Sequence, residues 1–438
     1  METMVNAKDA NLCPTIIFYG AGIMGQKIAK TFEKLNIRAE CFCDSDPDKH
    51  GKIYSGLTVK SINEIKKQYK KGEYKILLTL SNMNTMNVKE ELIKNNVFEE
   101  SDFYSGSYEF YMFDILRAIK PGNDSTAKHC FKRVQKNFIQ IDCNQENLIK
   151  ESLIKHYFKD PKKLETYYGK KNFHDHLYGR LEMYRSIMIP WLDSIHPLKG
   201  AKVLEIGCGT GCSTVSLCEQ GADVCSIDIC EDSLAVAKKR TEIYKLTSQF
   251  INLSAENIKS KFSGGFDFII FSASIEHMTY SERINAIKAV FEIIDENKYV
   301  VIFDTPNRLW CIDNHTSLEP FFHWLPDSLA IDYAKYTNRY DFDERFTKNN
   351  DENLICLARC GRGLSYHEFE VALGQDGWEV VSSIDDFCGV PYDFFKICLI
   401  MNGPKHIANG FYDSTLNFAL KKNETAKLPA KSRCKTNG

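Results

Sequence analysis

The sequence predicts an α/β chain built from two doubly wound units. Three observations carry this reading. The chain has 438 residues, more than one ordinary core organises. A glycine turn follows a β-rich run twice, in "FYGAGIMG" at 18–25 and in "VLEIGCGTG" at 203–211. After each turn, stretches with strand and helix periodicity alternate, the pattern of a parallel sheet with crossover helices. The first unit is expected over 15–107 and the second over 198–423, with a helical connector and cap at 108–197. A flexible N-terminus, 1–14, and a polar, disordered tail, 424–438, complete the division.

Taken in order, "TIIFYG" is a strand ending in a tight turn, and "IMGQKIAKTFEKLN" is the helix that follows it. "IRAECFCDSD" supplies a second strand closed by Asp44, "GLTVKSINEIKKQYKKG" an extended piece and a helix, and "YKILLTLS" a third strand. In the connector, "LYGRLEMYRSIMIPWL" has the spacing of an amphipathic helix. The second unit then reads as strands at "KVLEIG", "DVCSIDI", "QFINLS", "FDFIIFSAS", "KYVVIFDTP", "GWEVVSSID" and "STLNFALKK".

Composition excludes some functions. With 56 basic and 58 acidic residues there is no broad cationic surface, so nucleic acid is not an expected partner. The start, "METMVNAKDANLCPT", has no basic stretch leading into an apolar core, and no long apolar window occurs elsewhere. No membrane insertion and a cytoplasmic location are therefore expected. The 16 cysteines are scattered without a CxxC pair, which reads as reduced, buried thiols.

The second turn has the fuller chemical pattern. Gly207, Gly209 and Gly211 let the backbone approach a nucleoside where side chains would clash. Glu205 precedes them, Cys208 lies between the first two, and Asp228 closes the next strand, where a carboxylate can accept both ribose hydroxyls. These residues resemble class I S-adenosylmethionine-dependent methyltransferases, and the likeness runs from about 200 to 422. It implies a seven-stranded sheet with an antiparallel last strand and S-adenosyl-L-methionine as cofactor. It further implies Glu205 near the methionine amino group, the turn residues along the cofactor, and Asp228 with Ile229 at the ribose. In "LSAENI" the Ala255 amide and Glu256 would meet adenine, although Ser254 stands where an acid is usual. Ser272 would close the fourth strand beside the cofactor, and "FDTPNRLW" resembles the turn of enzymes that O-methylate quinone rings.

The transferred methyl is already electrophilic, so the protein must chiefly align a nucleophile and take its proton. His277 in "IEHM" is the candidate base and Glu276 its neighbour in the site; the other reading is that His277 caps or packs the next helix. Some relatives carry an ExxEH metal set on this loop, but Ala273 occupies the first position here, and no metal is expected.

The insertion 307–376 offers Arg308, His315, His323, Tyr366 and His367 among aromatic rings. Such groups suit a polar, ring-shaped substrate such as a sugar; the other reading is a solvated lid packed on the sheet. "PNRL", "HT", "HWLP" and "GRGLSYHEF" resemble methyltransferases encoded with bacterial surface-glycan enzymes. In the first unit, Gly20, Gly22 and Gly25 match GxGxxG and Asp44 stands at a strand end. "FCDSDPDKHGKIYSGLTVKSINEI" resembles small Rossmann-like domains of nucleotide-sugar-modifying enzymes. That likeness implies a nucleotide, NAD or nucleotide-sugar ligand, or a scaffold. The expected function is O-methylation of a sugar, nucleotide-linked or within a surface glycan. The alternatives are an aromatic or lipid-like acceptor, and an NAD-dependent oxidoreductase or bifunctional enzyme using the first turn.

Overall fold

The computed structural model describes residues 15–34, 39–70, 73–80, 82–103, 124–313, 315–337, 339, 342–389 and 410–423. The expected flexible N-terminus, the polar tail and the start of the connector lie outside them. The chain divides into two units, one made of the described residues up to Phe103 and one of those from Asp124 on.

The first unit contains β1 (Thr15–Tyr19), α1 (Ile23–Lys34), β2 (Cys41–Cys43), β3 (Ile53–Tyr54), β4 (Leu57–Lys60), α2 (Ile62–Gln68), β5 (Tyr74–Leu78) and α3 (Asn82–Lys94). Its sheet has the order β3-β4-β2-β1-β5. Pairing is parallel except in the two-residue hairpin of β3 with β4. β3 is a short strand that the sequence pattern does not reveal. Ile17 and Phe18 of β1 are fully buried, as expected of a central parallel strand covered on both faces.

The second unit opens with α4 (Asp124–Gln135) and α5 (Cys143–Ser152). A continuous helical run from Tyr167 to Ile195 follows, comprising α6 (Tyr167–His174), α7 (Arg180–Met183) and α8 (Ile189–Ile195) joined by π-helical turns at Asp175–Gly179 and Tyr184–Met188. A third π-helical turn covers Leu153–Phe158. The sheet elements are β6 (Lys202–Ile206), α9 (Cys212–Glu219), β7 (Asp223–Asp228), α10 (Glu231–Ile243), β8 (Gln249–Asn252), β9 (Phe268–Ser272), α11 (Tyr280–Ile293) and β10 (Tyr299–Pro306). The insertion adds α12 (Asp327–Tyr333), α13 (Phe342–Arg345), α14 (Asp351–Arg359) and α15 (Tyr366–Leu373). β11 (Trp378–Ser383), α16 (Ile384–Cys388) and β12 (Thr415–Lys422) close the unit.

The seven strands are ordered β11-β12-β10-β9-β6-β7-β8. β12 runs antiparallel to both β10 and β11, and the remaining pairs are parallel. This is the seven-stranded sheet with an antiparallel last strand that the motifs led us to expect. β9 is buried over its whole length, which explains its unbroken apolar run. The segment read as connector and cap packs on this sheet from Asp124 onward: Val134, Leu181, Trp191 and Leu192 share a core with Val203, Phe268 and Phe303. The insertion carries a small core of its own around Phe322, Ile331, Phe342 and Leu357.

Candidate active site

A cavity of about 340 Å³ opens at the C-terminal ends of β6, β7 and β9, where ligands enter open α/β sheets. Its floor is the second glycine turn. Gly207, Gly209 and Gly211 all have positive φ, yet they serve differently. A Cβ on Gly207 would stand 2.4 Å from Ser274 Cβ, and one on Gly211 would stand 2.8 Å from Ala237 Cα, whereas Gly209 has open space above it. Gly207, Cys208 and Gly209 line the cavity; Gly211 packs the turn against α10. Glu205 is wholly buried and accepts from the hydroxyls of Ser213, Thr214 and Ser226. The structure thus places Glu205 beneath the turn, bracing it, with burial raising its pKa.

Asp228 ends β7 and accepts from Gly209 N at 2.8 Å and from Cys230 N at 2.8 Å. These bonds hold its carboxylate at the cavity wall, while burial raises its pKa. Ile229 beside it lines the same cavity and is 68% exposed, an uncovered shelf for a flat ligand. Ala255 and Glu256 face the same cavity from the loop after β8, and Ser272 from the end of β9. Adenosine-sized groups therefore have a base shelf, a carboxylate and a glycine floor in one continuous wall.

At the other end lies His277. Its Nδ1 is 2.9 Å from the Arg359 carbonyl oxygen, an acceptor only, so Nδ1 carries the proton and Nε2 keeps its lone pair. Burial lowers the His277 pKa, and Arg180, Arg283 and Arg359 push it the same way. Glu276 is completely buried, with Oε1 lacking any hydrogen-bond partner, and burial pushes its carboxyl up to about 8. Of the insertion residues, His315 comes to this spot: its ring centroid is 5.4 Å from that of His277. Gly361 makes the room, since a Cβ there would stand 2.3 Å from His315.

Glu276, His277 and His315 bring one donor atom each within 4.8 Å of one another. Such a set can hold a divalent cation or pass a proton. The Glu276 and His315 donors left without partners suit either role. Arginines 180, 283 and 359 act on His277 and Arg339 on His315, while Asp313 acts on His315 and Asp304 on Glu276.

None of the five insertion residues singled out in the sequence is among those lining the cavity, although Arg359 of the same insertion is. His323 is 1% exposed and pairs with Asp313 at 3.0 Å; Asp313 in turn accepts from the backbone amides of His315, Thr316 and Ser317. His323 therefore shapes the loop that delivers His315. Arg308 lies 3.6 Å from Asp327. Tyr366 stacks on His367 at 3.9 Å and meets Phe411 edge-on, and His367 Nδ1 contacts Ser365 Oγ at 3.3 Å.

Motif reading missed the ligand-facing side of the cap. Tyr157, His176, Arg180 and Tyr184 line the cavity, and Tyr157, His176 and Tyr184 sit on the three π-helical turns, a feature common at functional sites. The available signal was the spacing of 176, 180 and 184, four residues apart on one helix face. Arg283 was also missed. Its buried guanidinium donates to the carbonyls of Glu276, Arg362 and Gly363 and to Glu368, tying the loop after β9 to the insertion.

In the first unit, Gly20, Gly22 and Asp44 line a cavity of about 760 Å³. Asp44 accepts from Ala21 N, Asp46 N and Lys49 Nζ, so its carboxylate is used within the turn. Gly25 is a packing glycine: a Cβ there would stand 2.0 Å from the Gly20 carbonyl oxygen.

Known proteins show matching likenesses. Residues 203–297 match the family model described as "Methyltransferase domain". An uncharacterized methyltransferase of Staphylococcus carnosus is 28% identical over 29% of this chain and 59% of its own. A ubiquinone biosynthesis O-methyltransferase of Pseudomonas aeruginosa is 32% identical over 28% of this chain and 51% of its own. The chain thus spans little more than half the length of these relatives. A solved structure, the magnesium protoporphyrin IX methyltransferase of Synechocystis PCC 6803, aligns over 64% of this chain and 99% of its own at 15% identity, with a TM-score of 0.36. No helix among the described residues is long and apolar enough to cross a membrane. The match to the methyltransferase-domain model thus falls within the second unit, from β6 to just before β10.

Proposed function

We propose that this chain is an S-adenosylmethionine-dependent methyltransferase that methylates an oxygen of a polar acceptor, a sugar in nucleotide-linked or glycan form. The observation that carries the reading is one cavity whose wall joins Gly209 and Asp228 at one end to His277 at the other. The cofactor supplies an activated methyl group. Asp228 and the glycine floor orient its nucleoside, and His277 Nε2 takes the acceptor's proton as the new bond forms. The buried Glu276 carboxyl, whose Oε1 lies 3.8 Å from His277 Nε2, is held neutral by burial and offers the ring a dipole rather than a full negative charge. The sugar assignment rests on the insertion, whose sequence resembles glycan-cluster methyltransferases and which delivers His315 beside His277. For the first unit we favour a scaffold role, because Asp44 already spends its carboxylate on Lys49 and two amides.

Calorimetry with S-adenosylhomocysteine tests the cofactor, and mass spectrometry with labelled S-adenosylmethionine and a panel of nucleotide sugars tests the acceptor. Asp228→Ala should weaken cofactor binding by about 1 to 3 kcal/mol. Tight NAD(H) binding with no S-adenosylhomocysteine binding overturns the proposal; transfer only to catechols or lipid-like phenols overturns the sugar.

A further inference from the structure

We infer that Arg180 and His176 of the helical cap form the subsite that holds the carboxylate end of the cofactor; the inference rests on the methyltransferase reading. The first ground is charge. S-adenosylmethionine ends in an amino-acid group whose carboxylate, once removed from water, needs a cation or several donors. Glu205, the residue expected at that end, is beneath the turn and engaged by three hydroxyls. Two arginines line the cavity. Arg359 is committed to both carboxylate oxygens of Glu282, at 2.6 Å each. Arg180 has no carboxylate within 4 Å among the described residues, and Asp304 acts on it only at longer range.

The second ground is an orphaned polar atom, which donates to a carboxylate in the tautomer where Thr210 Oγ1 donates to Nδ1. His176 is 4% exposed and lines the cavity. Its Nδ1 meets Thr210 Oγ1 at 3.0 Å on the glycine turn, and its ring lies 4.3 Å from that of Tyr157. Its Nε2 has no hydrogen-bond partner. A buried polar atom left unmatched in a ligand cavity is unfavourable until something bonds to it.

The third ground is position along the cavity. The cap helix touches the glycine turn through His176 and the end of β9 through Tyr184, whose hydroxyl accepts from Ser272 Oγ at 2.9 Å. Arg180 lies one turn from each. With the nucleoside on Asp228 and Ile229 and the methyl directed to His277, the amino-acid branch has to pass beneath this turn of helix. Cofactor binding would then bridge the cap to the sheet.

The test compares two probes on the full chain by calorimetry: S-adenosylhomocysteine, and 5′-methylthioadenosine, which lacks the amino-acid end. Arg180→Met should lose about 10- to 100-fold in affinity for the first and less than about 3-fold for the second. Arg180→Lys should recover part of the loss, and His176→Phe should lose about 3- to 10-fold for the first probe alone. Equal losses for both probes, or unchanged affinity for S-adenosylhomocysteine in folded Arg180→Met and His176→Phe, would overturn the inference. Failure of the unaltered chain to bind S-adenosylhomocysteine overturns the methyltransferase reading instead.

Discussion

His277 and Arg359 hold each other in place. The imidazole Nδ1 lies 2.9 Å from the Arg359 carbonyl oxygen, and the Arg359 guanidinium donates back to the His277 carbonyl at 3.0 Å while gripping Glu282. The first contact selects the tautomer that leaves Nε2 basic; the second fixes the loop that bears the ring. His277→Ala is expected to cut kcat by about 10²- to 10⁴-fold with S-adenosylhomocysteine affinity kept. Arg359→Ala should lower kcat by about 10-fold and shift the acidic limb of the kcat profile upward in pH, since it removes a positive charge that depresses His277. A silent His277→Ala would remove the ring from catalysis.

Glu276 gives stability a pH signature. Burial raises its carboxyl pKa from the ordinary value of 4.5 to about 8, so between those limits the native state holds a proton that the unfolded chain has lost. Stability from this group therefore declines as pH climbs through that window. Denaturant titrations across it should show a flatter decline for Glu276→Gln than for the unaltered chain. Parallel curves would refute the assignment.

Chelation separates the two possible uses of Glu276, His277 and His315. Because Arg180, Arg283 and Arg359 act on His277 and Arg339 on His315, dialysis against EDTA should leave turnover within about 2-fold, and added Mn²⁺ or Zn²⁺ should not raise it. Loss of turnover on chelation, restored by one of these ions, would mean that the donors ligate a cation.

Gly25 tests the first turn. With a Cβ only 2.0 Å from the Gly20 carbonyl oxygen, Gly25→Ala should destabilise the first unit by about 1 to 3 kcal/mol in thermal melts while leaving S-adenosylhomocysteine affinity unchanged. An alanine variant as stable as the original would show that the turn can shift, and the packing explanation would fail.

Much of the second unit was legible before any coordinates. Its seven strands, the glycine turn with Asp228, and the loops at Ala255 and His277 are local features, written in contiguous residues whose periodicity and spacing have direct physical meaning. The acceptor side was far less legible. Arg308, His315, His323, Tyr366 and His367 look alike in sequence, yet only His315 reaches His277, because Asp313 and His323 bend its loop inward and Gly361 clears the space.

The same division applies to the turns. Two glycine fingerprints with a downstream aspartate differ as strings chiefly in the acidic residue that leads the second, and the sequence by itself determined the α/β class and the order of the strands in chain sequence. Tertiary structure decided what each residue does there. Asp44 is consumed by Lys49 while Asp228 keeps an open face; Glu205 braces from below; and Arg180, distant in sequence from every motif, lines the cavity. The reason is that hydrogen-bond satisfaction and burial depend on neighbours brought together by folding, and a side chain is free for a ligand only when no such neighbour has claimed it.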